Sequence, residues 1–281
     1  MSGPKPFSTI DEMITTLESR GLKCDENTAS ILRIENYYSL INGHKDLFLV
    51  GPTKPETYAQ GTTFNEVYNV YLFDRVLRHY ILNWLMTLEG RLQTVIAHKS
   101  SEFYKDDPEF YLRISTYRND KRTLWQSEKT IRRLTRQYQR SHQSLDHYRQ
   151  HHKMIPFWVL VQVLTFGELS HFYSRLRSRR LRQVIASEFN KSLPKEYGNH
   201  TPENYGTFLR VLSDFRNICA HNERFYCHIH PKVVVNDGRP ANVNYVLTTI
   251  STLLPEDEKN RFLEGFMDIY SSFITVRHCS P

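Results

Sequence analysis

The segment RNICAHNERFY, residues 216–226, carries three side chains suited to work on a phosphodiester. Arg216 is permanently charged, and its planar fork matches two phosphate oxygens at once. His221 ordinarily titrates near neutrality, so it can take up and release protons. Asn217 has both a donor and an acceptor and can orient either partner. Asn217 and His221 are four positions apart and share a face if the segment is helical, with Arg216 one residue round and Ile218 free to turn inward. Guanidinium, amide and imidazole would then converge on one edge of a helix end. Those three groups match the needs of RNA cleavage by proton transfer and charge neutralisation. The competing reading is a histidine that merely caps its own helix.

The same stretch holds Cys219, His221, Cys227, His228 and His230 within twelve positions. Zinc sites pair their ligands closely across a loop, and this spacing does not. No metal and no cofactor are expected. Cys24, Cys219, Cys227 and Cys279 lie far apart without a CxxC pair and are read as free thiols.

The helix that must carry the motif begins at Thr201-Pro202, a side-chain cap followed by a residue with no N–H to lose, and continues through Phe208, Leu212 and Phe215. The longest predicted helix spans 63–98. Thr63 and Glu66 form its capping box, and an apolar stripe runs from Phe64 and Val67 through Tyr71, Val76 and Tyr80 to Trp84, Leu88, Leu92 and Val95. A short helix starts at a capping box of Ser8 and Asp11 and stops at Gly21; another covers 27–41, stopped by Gly43. Further helices are predicted over 120–149, over 156–176, over 242–254 and over 255–271, with a loop around 236–240. No internal repeat is present. The fold class is all-α.

Lys and Arg number 37 against 30 for Asp and Glu, a formal charge of +7 with a pI near 9.1, which favours a polyanionic partner. Two basic knots stand out. One lies on the helix over 120–149, with Arg132, Arg133 and Arg136; the other follows 156–176, with Arg177, Arg179 and Arg180. Like charges this close repel, and RNA phosphates would relieve them; the alternative is a solvated helix face. Arg224, beside the motif, joins the RNA-contacting set. The longest apolar run, 154–164, is interrupted by Gln162, and the first residues have no apolar leader core, so no membrane is expected and the setting is cytoplasmic.

Three passages resemble the Abi-like proteins, the AbiD and AbiF group of abortive-infection systems within the HEPN superfamily of helical domains. They are KPFSTIDEMITTLESRGL with ILRIENYYSL, then PFWVLVQVLTFGELSHFYSRL, then RNICAHNERFY. The last contains the Arg-Asn-x-x-x-His form of the HEPN ribonuclease signature on Arg216, Asn217 and His221. YLFDRVLRHYI followed by Leu88-Glu89-Gly90-Arg91 is similar to the family's acidic and basic pair on the long helix, although the family more often spaces that pair wider. The resemblance implies a HEPN-like helical bundle with additional N-terminal and basic helices: an N-terminal segment over 1–60, and a HEPN-like domain over 61–281 with a basic insertion at about 113–155. It implies a phage-defence protein that cuts RNA without metal, leaves 2′,3′-cyclic phosphate ends and works as a homodimer, because one chain carries a single motif. A structured non-coding RNA is a further expected partner. A non-catalytic RNA-binding regulator is the alternative, and a protein scaffold the third reading.

Overall fold

The protein is 71% helical with a small two-stranded sheet, so the all-α reading holds. The structure, a computed structural model, describes residues 7–51, 55–190, 201–234 and 238–278. Cys279 and part of the loop around 236–240 lie outside them. Among the described residues no helix is long and apolar enough to cross a membrane.

Two compact units emerge. The first takes residues up to Tyr80, Ile218–Cys227 and residues from Gly265 onward; the second takes Ile81–Asn217 and His228–Glu264. Helix α3 (Phe64–Phe103) contributes to both. At 40 residues it is about 60 Å long, and its start carries the expected box, with the Thr63 N–H donating to Glu66 and the Glu66 N–H to Thr63.

In the first unit, α1 (Ile10–Ser19) and α2 (Thr28–Ile34) pack together beside the first half of α3. Leu17, Leu40, Ile41, Phe64 and Val67 form its core. The cap of α1 is Thr9 with Glu12, one residue later than Ser8 and Asp11 suggest. α2 ends far short of residue 41. Glu35 is extended there, and its carboxylate accepts from the Tyr71 hydroxyl at 2.7 Å and from Arg75 at 2.8 Å. A tertiary anchor thus overrides a continuous helical pattern.

The second unit contains α4 (Leu124–Gln139), α5 (Gln143–His152), α6 (Phe157–Leu160), α7 (Phe166–Arg175) and α8 (Arg179–Asn190). It also holds all but the last turn of α9 (Pro202–Ala220), α10 (Val243–Leu253) and the start of α11 (Glu256–His278). The predicted helix over 120–149 is two helices. His142 is extended at the corner, where Asp146 accepts from the Ser141 hydroxyl and the His142 N–H, while Arg149 donates to the Tyr138 carbonyl. The predicted helix over 156–176 is also broken: Leu164 and Thr165 are extended, and Thr165 with Glu168 forms a fresh capping box for α7. Phe110, Phe157 and Phe172 pack in the interior, with the Phe157 and Phe172 rings 4.4 Å apart. Strands β1 (Ile229–Val234) and β2 (Pro240–Asn242) pair antiparallel with an irregular register. They fall where a loop was expected, because Pro231 and the shortness of both strands hide the alternation.

The buried face of α3 also differs from the predicted stripe. Val76 is exposed, whereas Asp74 and Arg78 are buried in its place. Two charges on the inner side of a helix need partners, and theirs lie just beyond the motif.

Candidate functional site

Arg216 sits in the last stretch of α9, and its Nε lies 3.4 Å from a carboxylate oxygen of Glu89, a buried residue on α3. Glu89 is thus the acidic member of the expected pair that reaches the motif. Arg91 turns elsewhere, donating to Glu258 at 2.5 Å. Ile218 and Cys219 face inward as the helical phase requires. Burial pushes the Cys219 thiol up to about 12, so it is a poor nucleophile.

α9 ends at Ala220, so His221 lies one residue past the helix and not on a continued face above Asn217. The chain turns there in the manner of a Schellman cap. Asn222 adopts φ +56°, and the Glu223 N–H donates back to the Ile218 carbonyl at 3.2 Å. His221, at the cap position, is exposed.

The residues after the cap are held by α3. Asp74 accepts from the Phe225 and Tyr226 N–H groups at 3.1 and 2.8 Å, and Arg78 donates to the Glu223 carbonyl at 3.1 Å. Asp74 and Arg78 are themselves 3.4 Å apart. A buried backbone segment with two amides to satisfy thus meets a buried carboxylate, and the carboxylate's charge is answered by its neighbour one turn on. His44 completes the nest, stacked on Tyr226 with its Nδ1 near the Ser39 and Leu40 carbonyls. Sequence reasoning missed this pair; the signal available was an acid and an arginine four apart inside an otherwise apolar helical face. Arg224, expected on RNA, donates to Asp46 at 2.9 Å and to the Gly43 carbonyl at 2.8 Å.

In the second unit Asn217 lines an open polar pocket of about 460 Å³. α4 supplies Arg133, α7 supplies His171, α9 supplies Arg210 and Asp214, and β1 supplies His230. Asp214 is 2.8 Å from Nε2 of His228, and Glu168 is occupied by Gln137 and its own cap. Neither Arg133 nor Arg210 has an acidic partner among the described residues. Close-packed atoms hold the His171 pKa below its usual value, and Arg133, Arg175, Arg210 and Lys129 push it the same way, although the residue itself is open to solvent. Arg175 is likewise lowered, first by burial and then by Arg118 and Arg210. His230 is buried and also lowered, chiefly by that burial.

Arg133 is the one residue of the two predicted basic knots that lines this pocket. Arg132 and Arg136 are exposed on α4, Arg132 being 3.8 Å from Glu128. Arg177 and Arg180 are exposed, and Arg179 lies 3.7 Å from Glu203. Arg210, His171 and His230 escape a reading based on charge runs, because each is isolated in sequence and only the packing of four elements brings them together. Among the described residues no group of three or more His, Cys, Asp or Glu could hold a metal ion.

Comparison with known proteins gives one match: the family model described as Abi-like protein aligns with residues 30–227. That stretch includes α3, the pocket residues except His230, and the whole segment from Arg216 to Tyr226. No curated protein and no solved structure matches.

Proposed function

Because this chain belongs to the Abi-like protein family, whose name points to abortive infection, we propose that it is a phage-defence endoribonuclease of the HEPN kind. It cuts RNA without metal through Arg216, Asn217 and His221. The observation that carries this reading is the local setting of the motif residues, each within its own unit. Arg216 is held at Glu89, and His221 stands exposed on a capped helix end whose following residues are clamped by Asp74 and Arg78. A group that must move protons benefits from such placement, since a small displacement of a reacting group is costly in rate.

In the proposed reaction the ribose 2′-OH attacks the adjacent phosphorus, and the bond to the 5′ oxygen of the next nucleotide breaks. The products are a 2′,3′-cyclic phosphate and a 5′-OH. One His221 removes the 2′ proton, and the His221 of a second copy gives a proton to the leaving oxygen. Arg216 neutralises charge developing on the phosphorane, and Asn217 orients the phosphate. Cleavage of a labelled single-stranded RNA is therefore expected to proceed in EDTA and to leave cyclic phosphate ends. Activity that stops on chelation and returns with a divalent metal would refute it.

A second copy is part of this scheme, and α11 offers a surface for one. In the first unit Met267, Tyr270 and Ile274 are all exposed, at the three- and four-residue spacing of a coiled-coil seam. The protein is expected to run as a dimer in light scattering at micromolar concentration. The double variant Met267→Glu with Ile274→Glu is expected to shift it to monomer and to reduce cleavage in parallel. A wild type that stays monomeric with and without RNA would remove the composite site.

The RNA-binding regulator remains a second reading because the pocket beside Asn217 carries unpaired arginines suited to a grip. RNA that binds tightly to the wild type with no cleavage under any condition would favour it.

A further inference from the structure

The pocket beside Asn217 is a built site of which the proposed chemistry uses only Asn217 itself. Its volume of about 460 Å³ lies within the roughly 300–1,000 Å³ usual for small-ligand clefts. Its acids are already engaged: Asp214 with His228, Glu168 with Gln137 and Thr165. Its cations are not. Arg133 from α4 and Arg210 from α9 lack acidic partners among the described residues, and Lys129 and Arg175 add their charge around His171. Four cations close enough to depress a histidine repel one another, so the free site stores a repulsion that an anion would relieve. The Ser213 side chain and the Asn217 amide supply neutral hydrogen-bonding groups in the same lining.

We infer that this pocket is a phosphate subsite, in which Arg133 and Arg210 grip a backbone phosphodiester of the RNA substrate and Asn217 contacts the same nucleotide. This deepens the proposed function and rests on its premise that the chain acts on RNA. The anion has two sources, a phosphodiester within RNA or a free phosphate monoester, and the chemistry of the grip is common to both.

The test is histidine-selective NMR on the full chain carrying His221→Ala, so that no probe is consumed. Three probes are added: inorganic phosphate, adenosine 5′-monophosphate, and a trinucleotide without terminal phosphates. The His171 and His230 ring signals are expected to shift with phosphate and with the trinucleotide. The titration midpoint of His171, lowered in the free protein, is expected to rise with bound anion, because negative charge offsets Lys129, Arg133, Arg175 and Arg210 while Asp214 and Glu168 stay engaged. Arg210→Gln and Arg133→Gln are each expected to weaken trinucleotide binding at least tenfold. Arg33→Gln, an exposed residue of α2 outside the pocket, is expected to change it less than threefold.

Unmoved His171 signals with any probe would overturn the subsite, as would equal losses in Arg33→Gln and Arg210→Gln. A response to adenosine 5′-monophosphate but not to the trinucleotide would assign the pocket to a free nucleotide and overturn the backbone reading. The two proposals fail separately. Trinucleotide binding in the pocket without cleavage by the wild type would leave the subsite standing and defeat the nuclease; cleavage with a silent pocket would do the reverse.

Discussion

Replacing His221 with alanine is expected to abolish RNA cleavage while leaving RNA affinity nearly unchanged. Each general acid or base step is worth about 10² to 10⁴ in rate, and in a symmetric pair of copies one substitution removes both roles. Binding rests on many Arg and Lys contacts, to which one imidazole adds little. The substitution is also mild for folding, because His221 is exposed and the turn it belongs to is closed by the main chain of Ile218 and Glu223. Arg216→Ala is expected to behave differently. It removes a permanent charge and leaves buried Glu89 without its cation, so activity should vanish and affinity should fall by about 1–2 kcal/mol. A wild type, both variants and one labelled RNA decide the matter. Cleavage that persists in His221→Ala after contaminating nucleases are excluded would end the proposed mechanism.

Asp74→Ala is expected to be the most destabilising single change outside the motif, by about 3–5 kcal/mol, the usual cost of leaving one member of a buried ion pair alone. Three partners are affected together: Arg78 loses its neighbour, and the Phe225 and Tyr226 N–H groups lose their acceptor. These losses overlap and do not add. Asp74→Asn keeps the Oδ1 that accepts from both amides but loses the charge facing Arg78, and is expected to fall between the wild type and the alanine variant. Urea unfolding of the full chain measures both. A loss below about 1 kcal/mol for the alanine variant would mean that water or a neighbouring group takes over the role assigned to the carboxylate. Cleavage by whatever folded protein remains is expected to fall as well, since the residues that follow His221 would no longer be fixed.

How much of this was legible in the sequence follows the range of the interactions involved. Thr63 with Glu66, and Thr201 with Pro202, announce helix starts because a cap is a contact across three or four residues. The three broken helices were not legible. Glu35 and His142 are neither Gly nor Pro, and each breaks its helix through a hydrogen bond that periodicity cannot register; Thr165 with Glu168 is a box of the same kind as Thr63 with Glu66, hidden by the apolar run on either side of it. The motif was visible as a run of residue types, and Glu89 was visible as a member of the resembling pair. Asp74 with Arg78 was not, because charged side chains on α3 read as surface until the segment that needs them is seen beside them. The pocket is the extreme case, with lining drawn from four elements spread over the stretch from Arg133 to His230.

Asn222 sets a limit on variation that its surroundings conceal. Its side chain is exposed, and by surface alone the position would tolerate any polar or small residue. Its backbone is left-handed, however, and that geometry closes the turn holding His221. Asparagine and glycine adopt it readily, whereas a β-branched residue there costs about 1 kcal/mol or more and favours letting α9 run on. The extra turn would carry the imidazole away from its present place. Among changes arising by drift, position 222 is therefore more restricted than its exposure suggests, and a library sorted for function would be depleted there of Val, Ile and Thr, although a straight side chain such as that of Lys153 can take the same conformation.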